Sequence, residues 1–177
     1  MGVEIERRFL VEKIPEIHIE NTYDIIQYYL PKKDWLDLWP SDDDDEEIHD
    51  LLLESDATFR LRKKDGVAYA TIKGASHGAI RQEFEREIDV EKMDAVVNKN
   101  KYPSIEKKRM IHVVNREIFW EIDCFEGKNS GLIIAEIEIP SPNYSILLPD
   151  WIGREITGED NMWSNYALAI NPLINRN

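Results

Sequence analysis

The stretch "GVEIERRFLV", residues 2–11, alternates at the two-residue period of a strand. Val3, Ile5, Phe9 and Val11 fall on one face, and Glu4, Glu6 and Arg8 on the other. At about 3.3 Å per residue the two glutamates stand roughly 6.6 Å apart on the same side. One face asks for a core, and the other concentrates charge.

The same alternation returns in "ATFRLRKK", "VAYATIKG", "IRQEFEREIDV", "KKRMIHVV", "REIFWEIDCF" and "GLIIAEIEI". Turn signals such as Asp65-Gly66, Gly74, Gly127 and Gly131 separate several of them, so the chain is mainly β. Charge again keeps to one side: Arg60 and Arg62; Thr71 and Lys73; Arg81, Glu83, Glu85 and Glu87; Glu121 and Asp123; Glu136 and Glu138. In "IEKKRMIHVV" the phase stays open, because Lys107 and Arg109 share a face with Ile111 and Val113.

An antiparallel sheet with one wet face accounts for mixed charge on any single strand. It accounts less well for the whole set, in which like charges recur in pairs. Carboxylates at this spacing repel by roughly 0.6 kcal/mol in water and several-fold more when shielded from it. Divalent cations would compensate the carboxylate pairs, and a bound polyphosphate would compensate Arg60, Arg62, Lys73, Lys107 and Arg109, with metal bridging the two. That is the logic of phosphoryl-transfer sites, and a curled or closed sheet with these faces turned inward would build one.

The 177-residue chain, with 42% hydrophobic and 10% aromatic residues, is sized for one globular domain. The formal charge of −13 argues against a polyanionic partner only until its distribution is read. Residues 34–56 carry eleven Asp or Glu and no Lys or Arg, leaving about −2 for the remainder. The single cysteine, Cys124, excludes an internal disulfide, and no apolar, positively charged leader opens the sequence, so a reducing cytoplasmic setting is expected. No apolar run approaches membrane-spanning length.

Helical patterns are expected at 90–100, around 15–20, and in "MWSNYALAINPL" near the C-terminus. The acidic segment reads as a surface insertion at about 31–56: a helix around "KKDWLDLW", with Trp35 and Trp39 as a buried stripe, then a solvated, mobile "SDDDDEE" tip. His18, His49, His77 and His112 share no metal-ligand spacing, Cys124 falls on the apolar side, and no Walker-type glycine loop is present.

Taken together, "EIERRF" at 4–9, "TFRLRK", "TIKG", "RQEFEREID", "IEKKR", "WEIDCFEG", "AEIEI", and "EITGED" with "NYALA" resemble, in family order, the CYTH superfamily of triphosphate tunnel metalloenzymes. The resemblance implies a closed, antiparallel eight-stranded β-barrel with a few flanking helices. It also implies Mg²⁺ or Mn²⁺ held by Glu4, Glu6, Glu136 and Glu138, with Glu85 and Asp123 as further metal candidates. Arg8, Arg60, Arg62, Lys73, Lys107 and Arg109 would grip phosphate, with Arg81 a further candidate. Arg8, Tyr29 and Lys107 are the implied catalytic positions.

Two departures bear on this reading. Arg8 stands where the family signature has lysine, and a guanidinium cannot supply a neutral amine. Asn161 and Met162 stand where many relatives have basic residues. The expected activity is metal-dependent hydrolysis of tripolyphosphate to pyrophosphate and phosphate. The alternatives are a class IV-type adenylate cyclase, a nucleoside or thiamine triphosphatase, and a non-catalytic polyphosphate-binding module. The expected partner is a small triphosphate rather than a nucleic acid or membrane, with monomer and homodimer both open.

Overall fold

The computed structural model describes residues 2–39, 46–75 and 77–176. Its strands are β1 (Gly2–Leu10), β2 (Asn21–Tyr29), β3 (Thr58–Lys64), β4 (Val67–Lys73), β5 (Ile80–Ile88), β6 (Ser104–Val113), β7 (Phe119–Phe125) and β8 (Ile133–Glu138). All neighbours are antiparallel, and they close into a barrel in the spatial order β1-β5-β4-β3-β2-β6-β7-β8. The first strand makes the closure: Gly2–Ile5 pair with β5, and Glu6–Leu10 with β8. Asp65 and Gly66, with φ of 47° and 83°, form a two-residue β3–β4 turn of the left-handed kind that suits strand twist.

The barrel is polar inside and apolar outside. Between the inward Arg60, Arg62, Thr71, Lys73, Glu83 and Glu85 lie Leu61, Ala70, Ile72 and Phe84, buried on the outer face. Helices α1 (Lys32–Leu36), α2 (Glu46–Leu53) and α3 (Val90–Lys99) cover them. Trp35 is fully buried there, stacks on Trp39 with ring centroids 4.6 Å apart, and donates from Nε1 to Arg60 O at 3.1 Å. The helix expected over 32–39 stops at Leu36, so Trp35 is buried on it while Trp39 lies half-buried in the turn that follows. The helix near residue 90 is present, capped by Asp89, whose carboxylate accepts from Glu91 N at 2.8 Å. Of the acidic tip, Ser41–Asp45 lie outside the described residues, while Glu46 and Glu47 open α2.

A second apolar cluster, with Phe9, Trp120, Ile122 and Ile137, lies on the outer face of β1, β7 and β8. The helix expected at 15–20 is not formed; the segment is irregular, bending at Glu16 and Ile17, and lies over this cluster. Ile17 and Ile19, two residues apart, both pack on it, a spacing that a helix would send to opposite sides. His112 Nδ1 meets His18 O at 2.8 Å and fixes the crossing.

A third cluster closes one end of the barrel. Ile105, Phe125 and Ile134 share the inner faces of their strands with Lys107, Asp123 and Glu136, and Ile156 and Leu168 pack against them. The C-terminal pattern, expected as one helix, is two: α4 (Asp160–Trp163) and α5 (Asn165–Ile170). Ser164 breaks them with an extended backbone, φ −61° and ψ 152°, and its Oγ accepts from Ala167 N at 3.0 Å. Asn129 ties α5 to the barrel by donating to Leu168 O at 3.1 Å. Among the described residues no helix is long and apolar enough to cross a membrane.

Candidate active site

Four neighbouring strands, β6, β7, β8 and β1, carry one continuous chain of alternating charges. Asp123 Oδ1 accepts from Arg109 Nε at 2.7 Å, and its Oδ2 accepts from Arg109 Nη2 at 2.7 Å and Lys107 Nζ at 2.5 Å. Arg109 also donates to Glu121, and its Nη2 reaches Glu136 Oε2 at 3.0 Å. Glu136 Oε1 accepts from Arg8 Nε at 3.0 Å. Burial alone would raise the Glu136 pKa, but Arg8, Arg109 and Lys107 hold it well below the usual carboxylate range. Burial lowers the Lys107 pKa against the pull of Asp123.

A second network spans β3, β4, β5 and β1. Arg60 Nη2 donates to Thr71 Oγ1, Glu83 Oε1 and Glu85 Oε2, each at 3.1 Å, and Arg62 Nη2 donates to Glu85 Oε1 at 2.6 Å. Lys73 pairs with Glu83 and lies 3.5 Å from Glu4 Oε2. Lys73 and Arg60 overcome burial to hold Glu83 well below the normal range.

Two cavities of about 450 and 500 Å³ share Glu6, Arg60, Lys73 and Asn165 in their walls. The first is also lined by Arg62, Arg109, Glu4, Glu136 and Glu138; the second adds Arg8, Tyr29 and Arg81. Arg8 Nη2, Arg60 Nε and Arg62 Nε are buried with no hydrogen-bond partner among the described residues. Buried donors normally have an acceptor, and guanidinium groups with spare donors, Arg62 on the first wall, Arg8 on the second and Arg60 on both, fit a multiply charged anion.

The carboxylates are just as uneven. Glu6 and Glu138 are register partners on β1 and β8, and neither forms an ion pair among the described residues. Burial, with Glu83 and Glu6 nearby, raises the Glu4 pKa to about 8 despite Lys73; burial and Glu136 raise that of Glu6. Hard carboxylate oxygens crowded beside one another, two of them without an ion pair among the described residues, suit a divalent cation such as Mg²⁺ or Mn²⁺. Among the described residues no three such groups already converge as a metal cluster. The donor chemistry fits, and the ligands are not preassembled.

The CYTH domain model matches residues 2–162. The chain belongs to the CYTH domain family. It is 41% identical over 127 residues to an inorganic triphosphatase of Acetivibrio thermocellus, covering 71% of this chain and 80% of that protein. It is 29% identical over 169 residues to an inorganic triphosphatase of Nitrosomonas europaea, covering 94% and 97%. The crystal structure of the inorganic triphosphatase NE1496 superposes with a TM-score of 0.62 at 27% identity, covering 94% of each chain.

Within this CYTH barrel the residues singled out from sequence occupy distinct environments. Glu4, Glu6, Glu136, Glu138, Arg60, Arg62, Lys73 and Arg109 line the first cavity, and Arg8, Tyr29 and Arg81 the second. Arg81 is held by Gly74 O at 2.6 Å and Thr58 Oγ1 at 3.1 Å. Asp123 is enclosed by Lys107 and Arg109, while Glu85 faces Arg60, Arg62 and Thr71. Tyr29 is buried, donates to Gln27 Oε1 at 3.4 Å and meets the Tyr166 ring edge-on at 5.4 Å. Burial pushes its phenol up to about 12 against Arg60, Arg81 and Arg8, so it stays protonated at neutral pH.

Sequence reasoning did not select Glu83, Glu121, Gln27 or Asn165, all of which reach the cavity. Glu83 and Glu121 share strand parity with Glu85 and Asp123, which was signal enough. Asn165 opens the "NYALA" motif, but its approach to the cavity depends on α5 folding back over the barrel end.

Proposed function

We propose that this CYTH protein is a metal-dependent inorganic triphosphatase that converts tripolyphosphate and water to pyrophosphate and phosphate. The observation that carries this reading is the presence, on adjoining cavity walls, of guanidinium groups with donors unsatisfied among the described residues and of Glu6 and Glu138, which form no ion pair among them. The names of the two curated relatives support the same activity.

Mg²⁺ or Mn²⁺, held by Glu4, Glu6 and Glu138 with Glu136 beside them, would supply charge neutralisation and polarise the attacking water. Arg60, Arg62, Lys73 and Arg109 take phosphoryl oxygens in the first cavity, and Arg8 takes them in the second. Arg81 borders the second cavity as a further phosphate contact. Glu85 and Asp123 act here as counter-ions that hold these bases in place. Arg8 remains a cation, so its part is electrostatic. Tyr29, protonated, serves as wall and donor rather than base, and Lys107 adds positive charge from behind the cavity.

The chain works as a single tunnel-barrel domain on a small cytoplasmic triphosphate. Among the described residues of the segment from 31 to 56, Trp35, Ile48 and Leu51 pack outside the barrel, and only Asp56 reaches the second cavity.

A product assay tests the reading. Tripolyphosphate, ATP, GTP and thiamine triphosphate are each supplied with Mg²⁺, Mn²⁺ or EDTA. Phosphate release from tripolyphosphate, abolished by EDTA, is expected. Cyclic nucleotide formation, or no turnover of tripolyphosphate with either metal, would overturn it.

A further inference from the structure

Asn165 opens α5 and is shared by the walls of both cavities. Lys107, by contrast, is absent from both walls, and its side chain is fully buried. Lys107 Nζ donates to Asp123 Oδ2 at 2.5 Å and to Asn165 Oδ1 at 3.3 Å. The carboxamide therefore stands between the ammonium and the open tunnel.

The orientation of that carboxamide follows from the chemistry of its neighbour. An ammonium has three donors and no acceptor, so it can face only the amide oxygen. With Oδ1 fixed on Lys107, Nδ2 has no protein acceptor among the described residues. Its two N–H groups remain for whatever occupies the tunnel at the junction of the two cavities. The Lys107 charge also polarises the amide and makes those N–H groups better donors.

We propose that Asn165 is a phosphate-contacting residue of this site: oriented by Lys107, it donates from Nδ2 to a phosphoryl oxygen of the triphosphate. Lys107 is then a positioning residue, reaching the substrate through Asn165. This inference rests on the triphosphatase reading and adds to it a neutral donor from outside the barrel strands.

Asn165→Asp and Asn165→Ala separate contact from scaffolding. Aspartate has nearly the same shape and gives Lys107 a better acceptor, but it offers no N–H and brings a negative charge toward phosphate. If Asn165 contacts phosphate, Asn165→Ala lowers kcat/KM for tripolyphosphate by about 10- to 100-fold, the range for one hydrogen bond to a charged group. Asn165→Asp lowers it further while its melting temperature equals or exceeds that of the parent. If Asn165 only props Lys107, the Asp variant outperforms the Ala variant, and the proposal is overturned.

Calorimetric titration with the non-hydrolysable bis(methylene) analogue of tripolyphosphate and Mg²⁺ separates this from failure of the activity. A parent that binds without turning over tripolyphosphate overturns the triphosphatase reading, and weaker analogue binding by both variants still supports Asn165. Equal binding by all three proteins overturns the Asn165 contact.

Discussion

Arg8 and Glu136 are register partners on β1 and β8, and Arg8 Nε donates to Glu136 Oε1 at 3.0 Å, both side chains buried. The other end of the guanidinium is divided: Nη1 donates to Trp163 O at 2.9 Å, and Nη2 has no partner among the described residues. Arg8 is thus fixed at two points, with a third donor unsatisfied among the described residues, and its side chain lines the second cavity.

Arg8→Ala removes the free donor and one of the cations holding Glu136 ionised. A lost hydrogen bond to a charged group costs about 1.5–3 kcal/mol, so kcat/KM for tripolyphosphate should fall by roughly 10- to 100-fold. Arg8→Lys keeps the charge and should preserve or raise turnover. Rates across pH 6 to 10 with saturating Mn²⁺ check both variants; an Ala variant equal to the parent in KM and kcat would place Arg8 outside the substrate path.

Asp123 is the shared counter-ion of Lys107 and Arg109, with no exposed side-chain surface. Asp123→Asn keeps its shape but leaves two buried cations short of a partner, a change that costs about 3–5 kcal/mol when a buried pair is broken. Urea unfolding should show a lower midpoint with the slope unchanged. A midpoint matching the parent would mean that the two bases find other partners.

The inward charged faces were legible because like-signed residues recur at strand spacing, as in Glu4 with Glu6 and Arg60 with Arg62. The roles of individual carboxylates were not. Glu6 and Asp123 look alike locally, yet Asp123 lies between two bases while Glu6 faces Glu138, a difference set by which strands become neighbours. The open phase of "IEKKRMIHVV" has the same origin. Lys107 and Arg109 point inward beside β7, while Ile111 and Val113 continue their face toward the end of the strand, where both are partly or fully exposed. The C-terminal break at Ser164 escaped notice because apolar residues on both sides of it suit a helix, and only a capping hydroxyl marks the interruption.

Glu83 gives a pH signature. Its folded pKa lies below the ordinary value of 4.5, through Lys73 and Arg60 acting against burial. A depressed folded pKa contributes stability that is present above the unfolded value and is lost as pH falls below it. The parent should therefore lose melting temperature more steeply than Glu83→Gln between pH 5 and pH 3, so that the gap between them narrows on acidification. A gap that stays constant across this range would show that Glu83 is not held by these cations.

In the proposed reaction one tunnel joins a divalent cation on Glu4, Glu6 and Glu138 to a triphosphate on the facing bases. The most direct measurement is a crystal structure with Mn²⁺ and the bis(methylene) analogue of tripolyphosphate, using anomalous scattering to locate the metal. Mn²⁺ is expected against those glutamates, with phosphoryl oxygens on Arg60, Arg62 and Arg109. Manganese or analogue bound only on the outer surface of the barrel, with the tunnel ion pairs undisturbed, would contradict it.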